Sequence, residues 1–206
     1  AGGPLTWDTA ATANWGTSSG GPYTTTWANY DDAYFEGVAG TVNLSNPYAN
    51  KIRFTVNGYT LSGSTLNMGN PGGIDNFSVS AGCTGTIGSA LSQPYATAIQ
   101  KIGTGTLILD GAVTSTAGNN RIEYGILRIS GGTFSGNLWI SDSDGTLGKV
   151  EITGGTVTSA GGVVVATRSI GTLEVDGGVG NFTGGLTMGH TIAAHSTTSI
   201  VNLVSG

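Results

Sequence analysis

Leu127-Arg128-Ile129-Ser130-Gly131-Gly132, Val150-Glu151-Ile152-Thr153-Gly154-Gly155 and Leu173-Glu174-Val175-Asp176-Gly177-Gly178 are three copies of one pattern, each 23 residues after the last. A shorter copy, Leu107-Ile108-Leu109-Asp110-Gly111, stands 20 residues earlier, and a looser one, Val201-Asn202-Leu203-Val204-Ser205-Gly206, follows 28 residues later. Each reads apolar, any, apolar, polar, glycine. Alternation with period 2 marks a strand with one buried face. Leu127/Ile129, Val150/Ile152 and Leu173/Val175 are therefore expected to point inward, and Arg128, Glu151 and Glu174 to solvent. The glycines let the chain turn sharply, because Gly reaches positive φ without steric cost.

A second strand set falls between these copies. Gly136-Asn137-Leu138-Trp139-Ile140, Gly161-Gly162-Val163-Val164-Val165 and Gly184-Gly185-Leu186-Thr187-Met188 each follow a glycine turn. A near-constant period with two or three short strands per repeat is what one coil of a parallel β-helix requires. Each strand then pairs with its copy in the next coil, roughly 4.8 Å along the axis. The predicted fold class is all-β: a single-stranded parallel β-helix, or β-solenoid, of ~20–25 residues per coil. An antiparallel sandwich, the main rival, predicts no constant register between successive Leu-x-Ile units. The longer last interval, around His190-Thr191-Ile192-Ala193-Ala194-His195, reads as a loop bulging from one corner.

Composition agrees. Of 206 residues 37 are Gly and only 9% are charged, with a net charge of −5. Low charge argues against ordinary disorder and against a helix-rich domain. No Lys/Arg run exists to release counterions from nucleic acid, so no nucleic-acid partner is expected. No apolar stretch approaches the ~20 residues of a membrane-spanning helix, so no membrane insertion by this segment is expected. The lone Cys83 forms no internal disulfide and reads as a small buried side chain. The chain starts at Ala1 without Met, which fits a removed leader or an excised segment.

Upstream the strands are less regular: Thr41-Val42-Asn43-Leu44, Lys51-Ile52-Arg53-Phe54, Tyr59-Thr60-Leu61-Ser62-Gly63, Leu66-Asn67-Met68, Phe77-Ser78-Val79 and Thr86-Ile87. Residues 1–37 differ in composition, with Trp7, Trp15, Trp27, Tyr23, Tyr30, Tyr34 and Phe35. A solenoid must cover its terminal coil, or unpaired strand edges become an aggregation template. The division is thus 1–37, an aromatic-rich cap or joint, and 38–206, the parallel β-helix. Trp7, Trp15, Trp27, Tyr30 and Phe35 are the candidates for self-association or ligand contact.

The stretch Lys101-Ile102-Gly103-Thr104-Gly105-Thr106-Leu107-Ile108-Leu109-Asp110-Gly111, followed by Tyr124-Gly125-Ile126-Leu127-Arg128-Ile129, resembles the passenger-associated repeat of bacterial autotransporters. The opening tryptophans, Asp32-Ala33-Tyr34-Phe35, Gly40-Thr41-Val42 and Gly58-Tyr59-Thr60-Leu61-Ser62-Gly63 resemble the N-terminal portion of autotransporter-like surface proteins. The resemblance implies a right-handed β-helix, exported and displayed outside the cell. It fixes no activity, since such passengers include adhesins, proteases, esterases and plain stalks. The family pattern also places a membrane β-barrel after the passenger; the sequence to Gly206 holds none, which fits a fragment or a secreted protein sharing only the passenger architecture.

Catalysis finds little support. The 12 acidic residues are scattered, and Asp31 and Asp32, as strand neighbours, would face opposite ways. Arg121, Arg128 and Arg168 have no acidic cluster in their segments. Ser141-Asp142-Ser143-Asp144-Gly145 reads as a turn, not a calcium loop. His190 and His195 lack the further ligands of a metal site. The Asn-x-Ser/Thr triplets at Asn43, Asn76 and Asn181 read as coincidental matches to the glycosylation pattern. No enzyme activity, metal or cofactor is expected. The main functional reading is an extracellular rod or fibre subunit of a bacterial surface, assembling head-to-tail with itself. The alternative is an adhesin or carbohydrate-binding passenger whose partners are surface glycans or host-surface molecules, with Trp139 or the N-terminal tryptophans stacking on sugars. A polysaccharide-active β-helix enzyme ranks below both.

Overall fold

The structure is a computed structural model that describes residues 5–69, 77–93, 98–189 and 197–204. Buried backbone N–H and C=O groups must find partners. Strands this short, joined by glycine corners, find them one coil away. Nine strands stack in chain order as one sheet: Leu5–Trp7, Thr41–Leu44, Tyr59–Gly63, Thr84–Ile87, Thr106–Leu109, Tyr124–Ile129, Leu147–Ile152, Ile170–Asp176 and Thr198–Val204. Every ladder in it is parallel. The chain is an all-β solenoid, and the described residues contain no helix.

A second sheet of 13 strands supplies the rest of each coil. One arm runs through Tyr48–Ala49, Leu66–Met68 and Leu91–Gln93, the other through Asp32–Phe35, Lys51–Phe54, Phe77–Val79 and Gln100–Ile102. Both arms meet on the long strand Val113–Ile122, where the register shifts between Thr114 and Asn119. A polar ladder, buried at Asn120, fills that bend. Asn120 Oδ1 accepts from Ile99 N at 2.9 Å and its amide donates to Asn137 O at 2.8 Å, while Asn137 Oδ1 accepts from Gly161 N at 2.8 Å.

Register makes the core continuous. Leu5, Val42, Leu61, Ile87, Leu109, Ile129, Ile152, Val175 and Leu203 are successive partners in one column, buried from Val42 to Ile152 and open at its last member. Leu107, Leu127, Val150 and Leu173 form the next, as the alternation predicts, and all four are buried. Burying each such side chain contributes roughly 1.5–3 kcal/mol, shared only with the coils above and below. Glycine is required where columns crowd. Gly85 follows Tyr59 in this column because a Cβ there would enter the Phe54 ring. Gly125 has φ +66, and its Cβ would overlap Gly105 O, so the glycine before Ile126-Leu127 is a packing necessity.

One core column holds a surprise: Ala33, Ile52, Phe77, Lys101, Ile122, Ile140, Val165 and Met188 are successive partners. Lys101 is fully buried among these apolar side chains. Its Nζ donates to Gly103 O at 2.7 Å, Tyr124 O at 2.9 Å and Ile102 O at 3.1 Å. The ammonium therefore ties one glycine corner to the start of the next coil. Burial pushes its pKa down to about 7.

The outer face departs from expectation at Glu151. Arg128, Glu151 and Glu174 are register partners on the solvent side, yet Glu151 is only 7% exposed. Two cations cover it: Arg128 Nε lies 2.7 Å from Oε2, and Lys149 Nζ lies 2.7 Å from Oε1 and 3.3 Å from Glu174 Oε2. Burial pushes the Glu151 carboxyl up, but hydrogen bonds from Lys149 and Arg128 outweigh it and hold the pKa below the ordinary value. Its stabilisation is therefore present above the ordinary carboxylate pKa and is lost as pH falls through the lower folded value. Denaturant midpoints measured from pH 7 to pH 3, an interval of about 4 units, should fall for the native chain and fall less for Glu151→Gln. Parallel curves would show that the network contributes nothing.

Cys83 is only partly buried, its Sγ 3.6 Å from Thr55 O. Asp142 pairs with Arg121, Nε to Oδ2 3.1 Å, and Gly145 turns at φ +72, so the Ser141–Gly145 segment is a turn braced by an ion pair. Among the described residues no three His, Cys, Asp or Glu side chains gather as metal ligands. His190, His195, Asn76 and Gly206 lie outside the described residues. In the last coil Val179, Leu186, Met188, Ile200, Leu203 and Val204 are exposed.

Candidate functional site

The N-terminal end is where aromatic density, irregular chain and a cleft coincide. Leu5–Trp7 pairs with Thr41–Leu44, and Asp32–Phe35 pairs with Lys51–Phe54, so residues 1–37 contribute strands to the first coil. Between those strands the chain loops across the end of the solenoid. The loop is pinned by Asp8, whose carboxylate accepts from Thr12 Oγ1 at 2.6 Å and Thr12 N at 2.8 Å. Trp15 and Thr25 form an antiparallel bridge, each N–H donating to the other's carbonyl at 3.0 and 2.8 Å. Trp27 Nε1 donates to Tyr48 O at 3.0 Å, tying the loop to the second coil.

The tryptophans face inward. Trp7 is fully buried, with ring centroids 5.0 Å from Trp15, 4.8 Å from Trp27 and 5.6 Å from Phe35. Phe35 in turn stacks on Phe54 at 5.2 Å and meets Tyr59 at 5.2 Å. Edge and offset contacts at these spacings are favourable aromatic geometries. Trp7, Trp15, Trp27 and Phe35 thus continue the core column upward and close its end, and Trp15 and Trp27 also line the cleft on the far side of the loop. Tyr30 alone of the five named residues is exposed, beside Tyr48 at 5.5 Å. Trp139 is half-buried on the outer face, in register between Arg121 and Val164.

The cleft lies on the other side of the same loop. Asp32, Tyr34 and Glu36 alternate outward from Ala33 and Phe35, and residues 15–28 wall them in, enclosing about 600 Å³. Glu36 anchors the wall: it accepts from Ser19 Oγ at 2.6 Å, Gly20 N at 2.8 Å and Tyr23 OH at 3.2 Å. The Ser19 bond foremost, then the Gly20 bond, holds its carboxyl below the ordinary range. Asp32 accepts from Asn50 Nδ2 at 2.7 Å and lies 3.7 Å from Lys51 Nζ. Tyr34 is 47% exposed on the floor, with the Arg53 guanidinium 5.4 Å from its centroid. Sequence alternation alone marks Tyr34 as outward. The wall could not be foreseen, because it depends on Glu36 reaching back to Ser19.

Together, the parallel coils, the glycine corners and the closed aromatic end define a parallel β-solenoid with a packed N-terminal end. The chain is similar to the adhesin BmaC autotransporter of Brucella suis biovar 1 (strain 1330), with 37% identity over 142 residues, 66% of this chain. It spans 4% of the length of that adhesin. No family model matches the chain, and no solved structure matches it.

Proposed function

We propose that this chain is a rod segment of a surface-displayed, adhesin-like passenger, non-enzymatic and acting by attachment outside the cell. The observation that carries this reading is the similarity to an autotransporter adhesin, on a chain whose nine-stranded column builds a stiff, low-charge rod. Beads coated with the folded chain should be retained on cultured epithelial cells several-fold better than beads coated with albumin. Equal retention sinks the reading. Head-to-tail assembly is the second reading, favoured by parallel strands that pair coil on coil throughout the nine-stranded sheet. It is opposed by the loop over the first coil, which a second copy would meet before reaching open strands. An apparent mass from light scattering that grows with concentration would support it, and a constant monomer mass would remove it.

A further inference from the structure

We propose that the cleft beside the N-terminal loop binds a neutral hexose ring, stacked on Tyr34. The site is argued from its own geometry; the adhesin-like reading enters only as the source of the sugar, a surface glycan. The cleft encloses about 600 Å³, within the ~300–1,000 Å³ of small-molecule sites. Its floor is an exposed aromatic ring, amphipathic in the way a sugar face demands, apolar across the ring and polar at the hydroxyl. Its wall carries the hydroxyls of Ser18, Thr25 and Thr26 beside the exposed carboxylate of Asp31; Ser18 and Thr25 already donate to Gly21 O and Trp15 O and are left as acceptors.

Charge selects within the sugars and against other ligands. Glu36 is already occupied by Ser19, Gly20 and Tyr23, and Asp32 by Asn50 and Lys51. Their negative charge still repels uronic and sialic acids. A cation would be drawn by those carboxylates, but the Tyr34 ring is already engaged by the Arg53 guanidinium, 5.4 Å from its centroid, and has less cation–π attraction left to offer. What remains welcome is an uncharged polyol with one flat C–H face. It would lay that face on Tyr34 and donate hydroxyl hydrogen bonds to the Asp31 carboxylate.

The test is an NMR titration of the intact chain with glucose, galactose, mannose, N-acetylglucosamine and lactose, with glucuronic acid and spermidine as charged probes. At least one neutral sugar should shift amides confined to residues 16–36. Tyr34→Ala should weaken it about tenfold, equivalent to ~1.4 kcal/mol, while Tyr34→Phe stays within about twofold. Unchanged thermal midpoints for both variants keep the result a statement about binding. Shifts from spermidine or glucuronic acid alone, shifts unaffected by Tyr34→Ala, or no shift from any neutral sugar each overturn the proposal. Sugar binding without bead retention would leave the site standing and remove the adhesin-like reading; retention without sugar binding does the reverse.

Discussion

Lys101→Met is expected to destabilise the chain at neutral pH by about 3 kcal/mol and to abolish a rise in stability on the alkaline side. Methionine fills the column between Phe77 and Ile122 but leaves the carbonyls of Ile102, Gly103 and Tyr124 without their shared donor. At this chain length each kcal/mol lowers the thermal midpoint by about 2–4 °C, so a drop on the order of 10 °C follows. The pH dependence is the sharper signature. Burial depresses the folded pKa to about 7, whereas the unfolded side chain keeps its proton until about 10.4. Between those values the unfolded state binds more protons, so native stability climbs with pH, by at most ~1.4 kcal/mol per unit. Below that window the contribution is flat. Denaturant melts of native and variant chains at pH 7, 8 and 9, steps of about one unit, should diverge, the native curve alone rising. Parallel curves would mean that the three carbonyls hold the ammonium charged at its ordinary pKa.

Trp7→Ala should cost about 3–5 kcal/mol, the range for deleting a large buried aromatic. Trp7 contacts both loop tryptophans and Phe35, so its removal opens the joint between loop and first coil together. Trp7→Phe should cost much less. It keeps a ring in the stack and removes an indole N–H that is buried without a hydrogen-bond partner. Because solenoid stability is a nearest-neighbour sum, the damage should be graded. In hydrogen exchange, the amides of Thr41–Leu44 should lose protection first and those of Leu147–Ile152 last. Uniform loss along the rod would contradict a local role for the aromatic end.

The coil repeat was legible because the same apolar–x–apolar–polar–Gly phrase recurs with one spacing, and register pairing depends on that spacing alone. Leu127, Val150 and Leu173 are partners in the structure as they are in the alignment of the copies. Lys101 was visible only as a motif letter. Alternation places it inward beside Ile99, but nothing local says that a corner one coil later supplies Tyr124 O. Glu151 was read as solvent-facing for a similar reason: its cover comes from Arg128, a full coil away, as well as from Lys149. The tryptophans were legible as an end feature and not as a core one. Their inward packing needs the loop to fold back through the Trp15–Thr25 bridge, a contact no periodicity encodes.

Coil-by-coil register underlies the column, the closed end and the cleft, and a pair of cysteines tests it directly. With Cys83 replaced by Ala, Thr114→Cys and Ser135→Cys would stand on exposed, register-paired positions of adjacent coils. Their Cα atoms would be ~4.8 Å apart, inside the ~4.4–6.8 Å that a disulfide spans. Thr114→Cys with Thr158→Cys, two coils apart on the same face, would be separated by ~9.6 Å, beyond that span. Mild oxidation should join the first pair completely without lowering the thermal midpoint and leave the second pair as free thiols. Failure of the first pair, or efficient closure of the second, would contradict the stacked parallel register.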